Sequence, residues 1–150
     1  MLELERTEGV PALLQATCRE LVGMLDASGC VLSRVIGELL ICIARDVRRA
    51  GSLDLGRGYL LEDFPLTRRV IEQQEVLGVS ALDPDADRAE VALLRELGFD
   101  SLLMLPLCTA EGCWGIVEVY RDGGRTFGDE DVEAAGFVVA RASELLARLS

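Results

Sequence analysis

The 150-residue sequence predicts an α+β domain built around an antiparallel sheet. Amphipathic helical patterns occupy both ends of the chain, at about residues 11–27 and 129–149. Between them, short β-rich runs come in pairs joined by turns that contain glycine, which is typical of hairpins. Further helical segments separate these pairs. Because the length suits one domain and half of the residues are hydrophobic, residues 1–150 are expected to fold as a single unit.

The first helix is predicted from Pro11, a residue suited to a first helical turn. Its apolar residues recur at spacings of four, three and four, which places them on one face: Leu14, Cys18, Leu21 and Leu25. Ser28 and Gly29 end the helix. Two β-rich runs follow at residues 30–36 and 39–44, and the Gly37-Glu38 dipeptide between them predicts a hairpin.

The middle of the chain predicts short elements. Residues 45–58 indicate a loop with some strand, and a helix is expected to begin at Asp63-Phe64-Pro65. Residues 76–80 form a short strand candidate. Asp87, with Glu90 three residues later, matches a capping box at the start of another helix.

The last third predicts a hairpin followed by a helix. Gly98 suits a helix end, and an apolar strand is expected at residues 101–107. The turn is placed at residues 109–112 and the next strand at residues 114–120. The closing helix has acids at its start and arginines near its end, as the helix dipole favours.

Composition excludes several classes of function. The net charge of −11 opposes binding to nucleic acid or anionic membranes, and the chain shows neither a secretory signal nor a membrane span, so a cytoplasmic location is expected. The sequence contains no histidine and no lysine. It therefore lacks the commonest general base and metal ligand and cannot form a Schiff base. We expect no metal site and no enzymatic activity.

Five short strings, in this order and spacing, resemble those of a GAF domain. They lie at residues 63–70, 83–86, 97–107, 112–120 and 127–131. The strongest is the apolar strand that ends in Pro106-Leu107, followed by the Gly115 to Glu118 strand segment. The string from Phe127 to Asp131 is similar to the family's entry to its closing helix.

The resemblance, which spans about residues 13–149, implies an antiparallel sheet of about six strands. Terminal helices would cover one face, while middle helices and loops would cover a small-molecule pocket on the other. GAF domains mostly sense ligands rather than catalyse reactions. Haem-binding and bilin-binding relatives use a histidine, which this chain lacks, so neither cofactor is expected and the ligand is unknown.

Glu118 is the most informative candidate for the pocket, because it interrupts an apolar strand. Alternation places Trp114, Ile116, Glu118 and Tyr120 on one face, the one opposite the terminal helices. The predicted ligand-binding residues are Tyr59, Phe64, Ser101, Leu103, Ile116 and Glu118. The alternative for Glu118 is an ion pair with an arginine at the sheet edge.

Cys108 and Cys113 flank the predicted hairpin turn and are redox candidates. A four-residue loop would place them opposite each other, whereas a two-residue loop is expected to leave them out of register. The alternative is that both are ordinary hairpin residues in a reducing cytosol.

The closing helix carries a heptad-like apolar row that predicts a homodimer. The row comprises Val132, Ala135, Val139, Ala142, Leu146 and Leu149. Together with the first helix it suggests a four-helix bundle between two copies, with an interface at Leu14, Leu21, Val132, Val139 and Leu146. The alternative is that the two helices pack only against each other within one chain.

These observations predict a sensory or regulatory module that binds a small molecule and signals through its terminal helices. A fused or separate output domain would receive the signal. Two alternatives remain open: a dimerisation or interaction scaffold without a ligand, and a cysteine-based redox sensor.

Overall fold

The computed structural model describes residues 9–48 and 53–149, which form four α-helices and six strands. The helices are α1 (Gly9–Leu25), α2 (Pro65–Gln73), α3 (Arg88–Leu97) and α4 (Asp129–Leu149). The strands are β1 (Gly29–Ile36), β2 (Leu39–Val47), β3 (Gly58–Leu60), β4 (Leu77–Ser80), β5 (Ser101–Thr109) and β6 (Gly112–Arg121). A 3₁₀ turn, Leu61–Asp63, precedes α2.

The strands form one antiparallel sheet in the order β3-β2-β1-β6-β5-β4. The α+β class and the six-stranded sheet are thereby confirmed. The predicted hairpins are β1–β2 and β5–β6. The sequence predicts some strand within residues 45–58 but not its bounds. In the structure, β2 extends to Val47 and β3 begins at Gly58.

Each of two strands carries one extra residue in its ladder. Leu32 pairs with Ala44 but Ser33 pairs with Cys42, and across β5–β6 Leu107 pairs with Gly115 while Cys108 pairs with Cys113. The residues left over are Ile43 and Trp114. Such bulges reverse the alternation of side chains beyond them.

The bulge in β6 corrects the predicted position of Trp114. Its side chain packs with the core under the terminal helices, not with the face that carries Ile116. Gly115 is required beside it, because a Cβ there would lie 2.5 Å from the Ser33 carbonyl oxygen.

The sheet separates two apolar cores. On one face, Leu32, Leu103 and Val117 pack against α1 and α4. On the other face, Met104 and Ile116 pack with residues from α2, α3 and the loops. Alternation along β5 and β6 explains this division, since successive side chains point to opposite faces.

The apolar rows predicted as a dimer interface are already buried inside one chain. Leu14, Leu21, Val139 and Leu146 are 3%, 0%, 5% and 1% exposed, and the partly buried Val132 packs against the same core. The reason is that α4 contacts both α1 and β5. It therefore uses one side of the row against the sheet and the other against α1, as in the single-chain alternative.

Helix α3 begins and ends as the sequence predicts. The Asp87 carboxylate Oδ1 accepts a hydrogen bond from the Glu90 backbone N–H at 3.1 Å, which caps the first turn. Gly98, with φ of +88°, ends the helix in the left-handed conformation. The reciprocal half of the capping box is absent, because the Glu90 side chain turns inward.

Candidate ligand-binding site

A cavity lies between the sheet and the α2–α3 side of the domain. Its main polar lining residues are Ser33, Tyr59, Thr67, Glu90, Glu118 and Tyr120. The empty space among the lining atoms, including the mouth, is about 450 Å³, but only about 20 Å³ is open to the centre of a water molecule. That suffices for about one water. A metabolite-sized ligand therefore requires the lining side chains to move apart.

Glu118 faces this cavity from the middle of β6 and is 8% exposed. The Tyr120 hydroxyl donates a hydrogen bond to its Oε2 at 3.3 Å, and Oε1 has no hydrogen-bond partner among residues 9–48 and 53–149. Within those ranges no arginine forms an ion pair with it. Burial, and secondarily the charge of Glu90, raise the pKa of Glu118 to about 8.

Glu90 is a second buried carboxyl group in the same cavity, although its place in the capping-box pattern predicted that its side chain would cap α3. It is 2% exposed, and its Oε1 accepts a hydrogen bond from the Thr67 hydroxyl of α2. Burial raises its pKa. The signal that could have identified it is its spacing of four and seven residues from Leu94 and Leu97, which places it on the buried face of α3.

Aromatic side chains and one cation form part of the cavity wall toward its mouth. The Tyr59 and Phe64 rings meet edge to face with centroids 5.7 Å apart. The Arg57 guanidinium lies 4.9 Å from the Tyr59 centroid and forms an ion pair with Glu96 at 3.3 Å. Burial raises the pKa of Tyr59 to about 12, so its hydroxyl stays neutral.

The structure brings together only part of the predicted ligand set. Tyr59, Phe64 and Glu118 line the cavity. Ile116 is fully buried in the core on that side of the sheet without lining the cavity. Ser101 lies elsewhere, where its hydroxyl donates to the Arg125 carbonyl oxygen at 2.5 Å.

Leu103 does not line the cavity. Its neighbours Leu102 and Met104 face the cavity side of the sheet, so alternation directs Leu103 into the core under α1 and α4. The apolar run at residues 101–107 does not indicate which side chains face the cavity and which face the terminal helices, because both faces of this strand are apolar.

Cys108 and Cys113 face each other across the β5–β6 hairpin and are both free and half-buried. The loop contains two residues, Ala110 and Glu111. The prediction that a two-residue loop would separate the pair is wrong, because pairing of Thr109 with Gly112 places the two cysteines opposite each other. Burial and the neighbouring Cys108 raise the pKa of Cys113 to about 12, so its reactive thiolate is scarce at neutral pH.

Within residues 9–48 and 53–149, no group of three or more His, Cys, Asp or Glu side chains is arranged to hold a metal ion. None of the helices in this part of the chain has the combination of length and apolarity that crossing a membrane demands.

The fold is similar to that of several solved GAF domains. The phycocyanobilin-bound GAF domain of a cyanobacterial phytochrome superposes with a TM-score of 0.85 at 16% identity, over 99% of this chain and 90% of that one. The chromophore-binding domain of the Stigmatella aurantiaca bacteriophytochrome gives 0.84 at 17% identity. There the match covers 97% of this chain but 57% of the other.

A third similar structure is the blue-light-absorbing form of the Thermosynechococcus elongatus PixJ GAF domain. It has a TM-score of 0.79 at 11% identity, over 93% of this chain and 85% of that one. The sequence model of the GAF domain matches residues 10–146. The chain belongs to the GAF domain family. No curated protein matches it by sequence.

Proposed function

We propose that this GAF domain is a sensory module that binds a small molecule in the cavity between Glu90 and Glu118. The observation that carries the proposal is the buried Glu118 carboxyl group, whose Oε1 lacks a partner among the described residues. Burying an ionisable group that has no ion pair and a single hydrogen bond is costly. A ligand that hydrogen-bonds to this oxygen would recover part of that cost, which gives the cavity a reason to bind one.

Strand β6 offers a route from the cavity to the terminal helices. Glu118 and Tyr120 face the cavity, while Val117 and Val119 on the same strand pack under α1 and α4. At its end Arg121 forms an ion pair with Asp131 of α4 at 3.0 Å.

The same guanidinium also donates to the Leu25 carbonyl oxygen at the end of α1. A ligand that displaces β6 would therefore move the ends of both helices. We propose that these helices pass the change to a fused or separate output domain.

A bilin such as the phycocyanobilin bound by the similar cyanobacterial phytochrome domain does not fit this cavity. The enclosed space holds about one water, far too little for a tetrapyrrole. Histidine is absent, and the cavity cysteine, Cys42, has its pKa raised to about 11 by burial, which leaves little thiolate for attachment. A smaller ligand suits the site better.

We also propose a binding role without catalysis, in the cytoplasm. The chain has neither histidine nor lysine for acid–base or Schiff-base chemistry. The free thiols of its five cysteines suit a reducing compartment.

Native mass spectrometry of the purified protein, followed by a thermal-shift screen of metabolites, tests the binding proposal. We expect a retained mass or at least one stabilising compound, and loss of that stabilisation in Glu118→Gln. The matched control is Glu130→Gln on the exposed start of α4, which should respond as the wild type does. If neither a retained species nor a stabilising compound is found, the sensory proposal fails.

Two alternatives each have one supporting observation. The narrow cavity favours a scaffold that functions without a ligand, and such a protein would give no retained mass. The facing Cys108–Cys113 pair favours a redox sensor, although the raised pKa of Cys113 opposes rapid oxidation. Because Cys18, Cys30 and Cys42 are buried, labelling of air-oxidised protein with iodoacetamide in denaturant tests the latter: five labelled thiols would exclude a disulfide, and three would support one.

A further inference from the structure

We propose that the cavity selects a small, planar organic cation with paired N–H donors, of the amidinium or guanidinium type. This inference rests on the proposed ligand-binding function and specifies the chemistry of its ligand. It depends on the charges, the free acceptors and the aromatic walls of the cavity.

The ionisable groups that line the cavity are mostly acidic. Its described lining contains three carboxyl groups, those of Asp54, Glu90 and Glu118, and one cation, Arg57. Arg57 is paired with Glu96, and Asp54 is paired with Arg45 at 3.8 Å. Neither buried carboxyl group has an ion pair with an arginine among the described residues. A cationic ligand would stabilise the ionised form of either buried carboxyl group, whereas an anionic ligand would oppose it.

The two buried carboxyl groups can accept hydrogen bonds from a ligand. Glu118 Oε1 has no partner among the residues that the structure describes, and Glu90 is engaged by Thr67, through its hydroxyl and its backbone. The Ser33 hydroxyl, 2% exposed and in the same lining, also has no hydrogen-bond partner in those ranges. A carboxylate binds a planar cation with two N–H groups through parallel hydrogen bonds, which are stronger than neutral ones.

The aromatic rings of the cavity also favour a planar cation. Tyr59 and Phe64 line the cavity from one side, and the Tyr120 ring lies beside Glu118. Planar cations stack favourably on such rings, and the gain increases when water is excluded. Arg57 over Tyr59 shows that this wall already accommodates a guanidinium group.

Proton release provides a readout that is independent of affinity. The titratable or charged groups around Glu118 are Tyr120 on its own strand, Glu90 on α3, Cys42 on β2, Tyr59 on β3, and Asp54 and Arg57 in the loop before β3. Because burial keeps Glu118 largely protonated at pH 7, a bound cation should ionise it and release about one proton.

The experiment compares three molecules of one shape: benzamidinium, neutral benzamide and anionic benzoate. Calorimetric titration at pH 7, in two buffers of different ionisation enthalpy, gives both affinity and proton release. We expect benzamidinium to bind at least tenfold more tightly than benzamide, with proton release, and benzoate to show no binding. Glu118→Gln and Glu90→Gln should each weaken benzamidinium binding about tenfold, and Glu130→Gln should not. Circular dichroism confirms that each variant folds.

The outcomes separate this inference from the sensory proposal. Equal or tighter binding of benzamide or benzoate, lost in Glu118→Gln, would overturn the preference for a cation while supporting the sensory role. The same holds if the retained or stabilising metabolite is neutral or anionic. If none of the three probes binds and no metabolite stabilises the protein, both proposals are overturned.

Discussion

At the scale of single residues, Glu118 makes stability depend on pH. Its pKa rises from about 4.5 to about 8 in the fold, so between these values the folded state holds more protons than the unfolded state. The free energy of unfolding therefore falls as the pH rises through this window. We expect a loss of about 1–3 kcal/mol between pH 5 and pH 9 from this group. Urea denaturation across this range measures it.

Glu118→Gln isolates the contribution of Glu118 from other titrations. The amide resembles the protonated acid, so the variant should match the wild type near pH 5 and exceed its stability near pH 9. Glu90, whose pKa burial also raises, still titrates in this variant and gives a smaller residual slope of the same sign. A stability difference between Glu118→Gln and wild type that does not change with pH would contradict the assignment.

At the scale of elements, the Asp87 cap tests what holds α3 over the cavity. Its carboxylate accepts the Glu90 backbone N–H at 3.1 Å, so Asp87→Ala leaves that donor without its partner. We expect a loss of about 1 kcal/mol in the free energy of unfolding. Asp87→Asn, which caps about as well, should lose much less. Similar losses in both variants would show that charge rather than capping matters here.

The same element shows how far sequence reasoning extends. Asp87 and Gly98 predicted both ends of α3, and turn residues predicted both hairpins, because these signals are local. The inward turn of Glu90 depends on Thr67, 23 residues away, so the capping pattern could not reveal it. The bulges at Ile43 and Trp114 likewise arise from pairing between strands, so the sequence could not predict the face of the sheet on which Trp114 lies. The face of Leu103 could not be predicted because both faces of β5 are apolar.

At the scale of the whole molecule, Arg121 joins the sheet to both terminal helices. Its side chain is 11% exposed, pairs with Asp131 at 3.0 Å and lies 4.5 Å from the Phe127 ring centroid. We expect Arg121→Gln to lower the free energy of unfolding by about 2–4 kcal/mol, because Asp131 loses its partner. Arg121→Lys should restore only part of this free energy, since an ammonium group lacks the planar arrangement of N–H donors that a guanidinium provides. Full restoration by lysine would reduce the role of Arg121 to charge alone.

The exposed face of α4, which is available to contact a second copy, is not the face that carries the heptad-like row. Phe137 on α4 is 67% exposed, whereas Val139 and Leu146 are 5% and 1% exposed. Glutamate at either buried position would unfold the single chain, so such variants cannot report on association. We therefore expect a homodimer, if it forms through the terminal helices, to use the face around Phe137, where the partly exposed Gly136 and exposed Ala140 permit close approach.

Phe137→Glu tests this arrangement with little risk to the fold, because the side chain lies outside the core. We expect light scattering at tens of micromolar to shift from a dimer mass to about 16 kDa, with an unchanged circular dichroism spectrum. Leu82→Glu is the matched control: Leu82 is 66% exposed but lies in the loop before α3, so this variant should stay dimeric. A dimer that survives Phe137→Glu would place the contact on another face. A wild type that stays near 16 kDa at every concentration would exclude self-association.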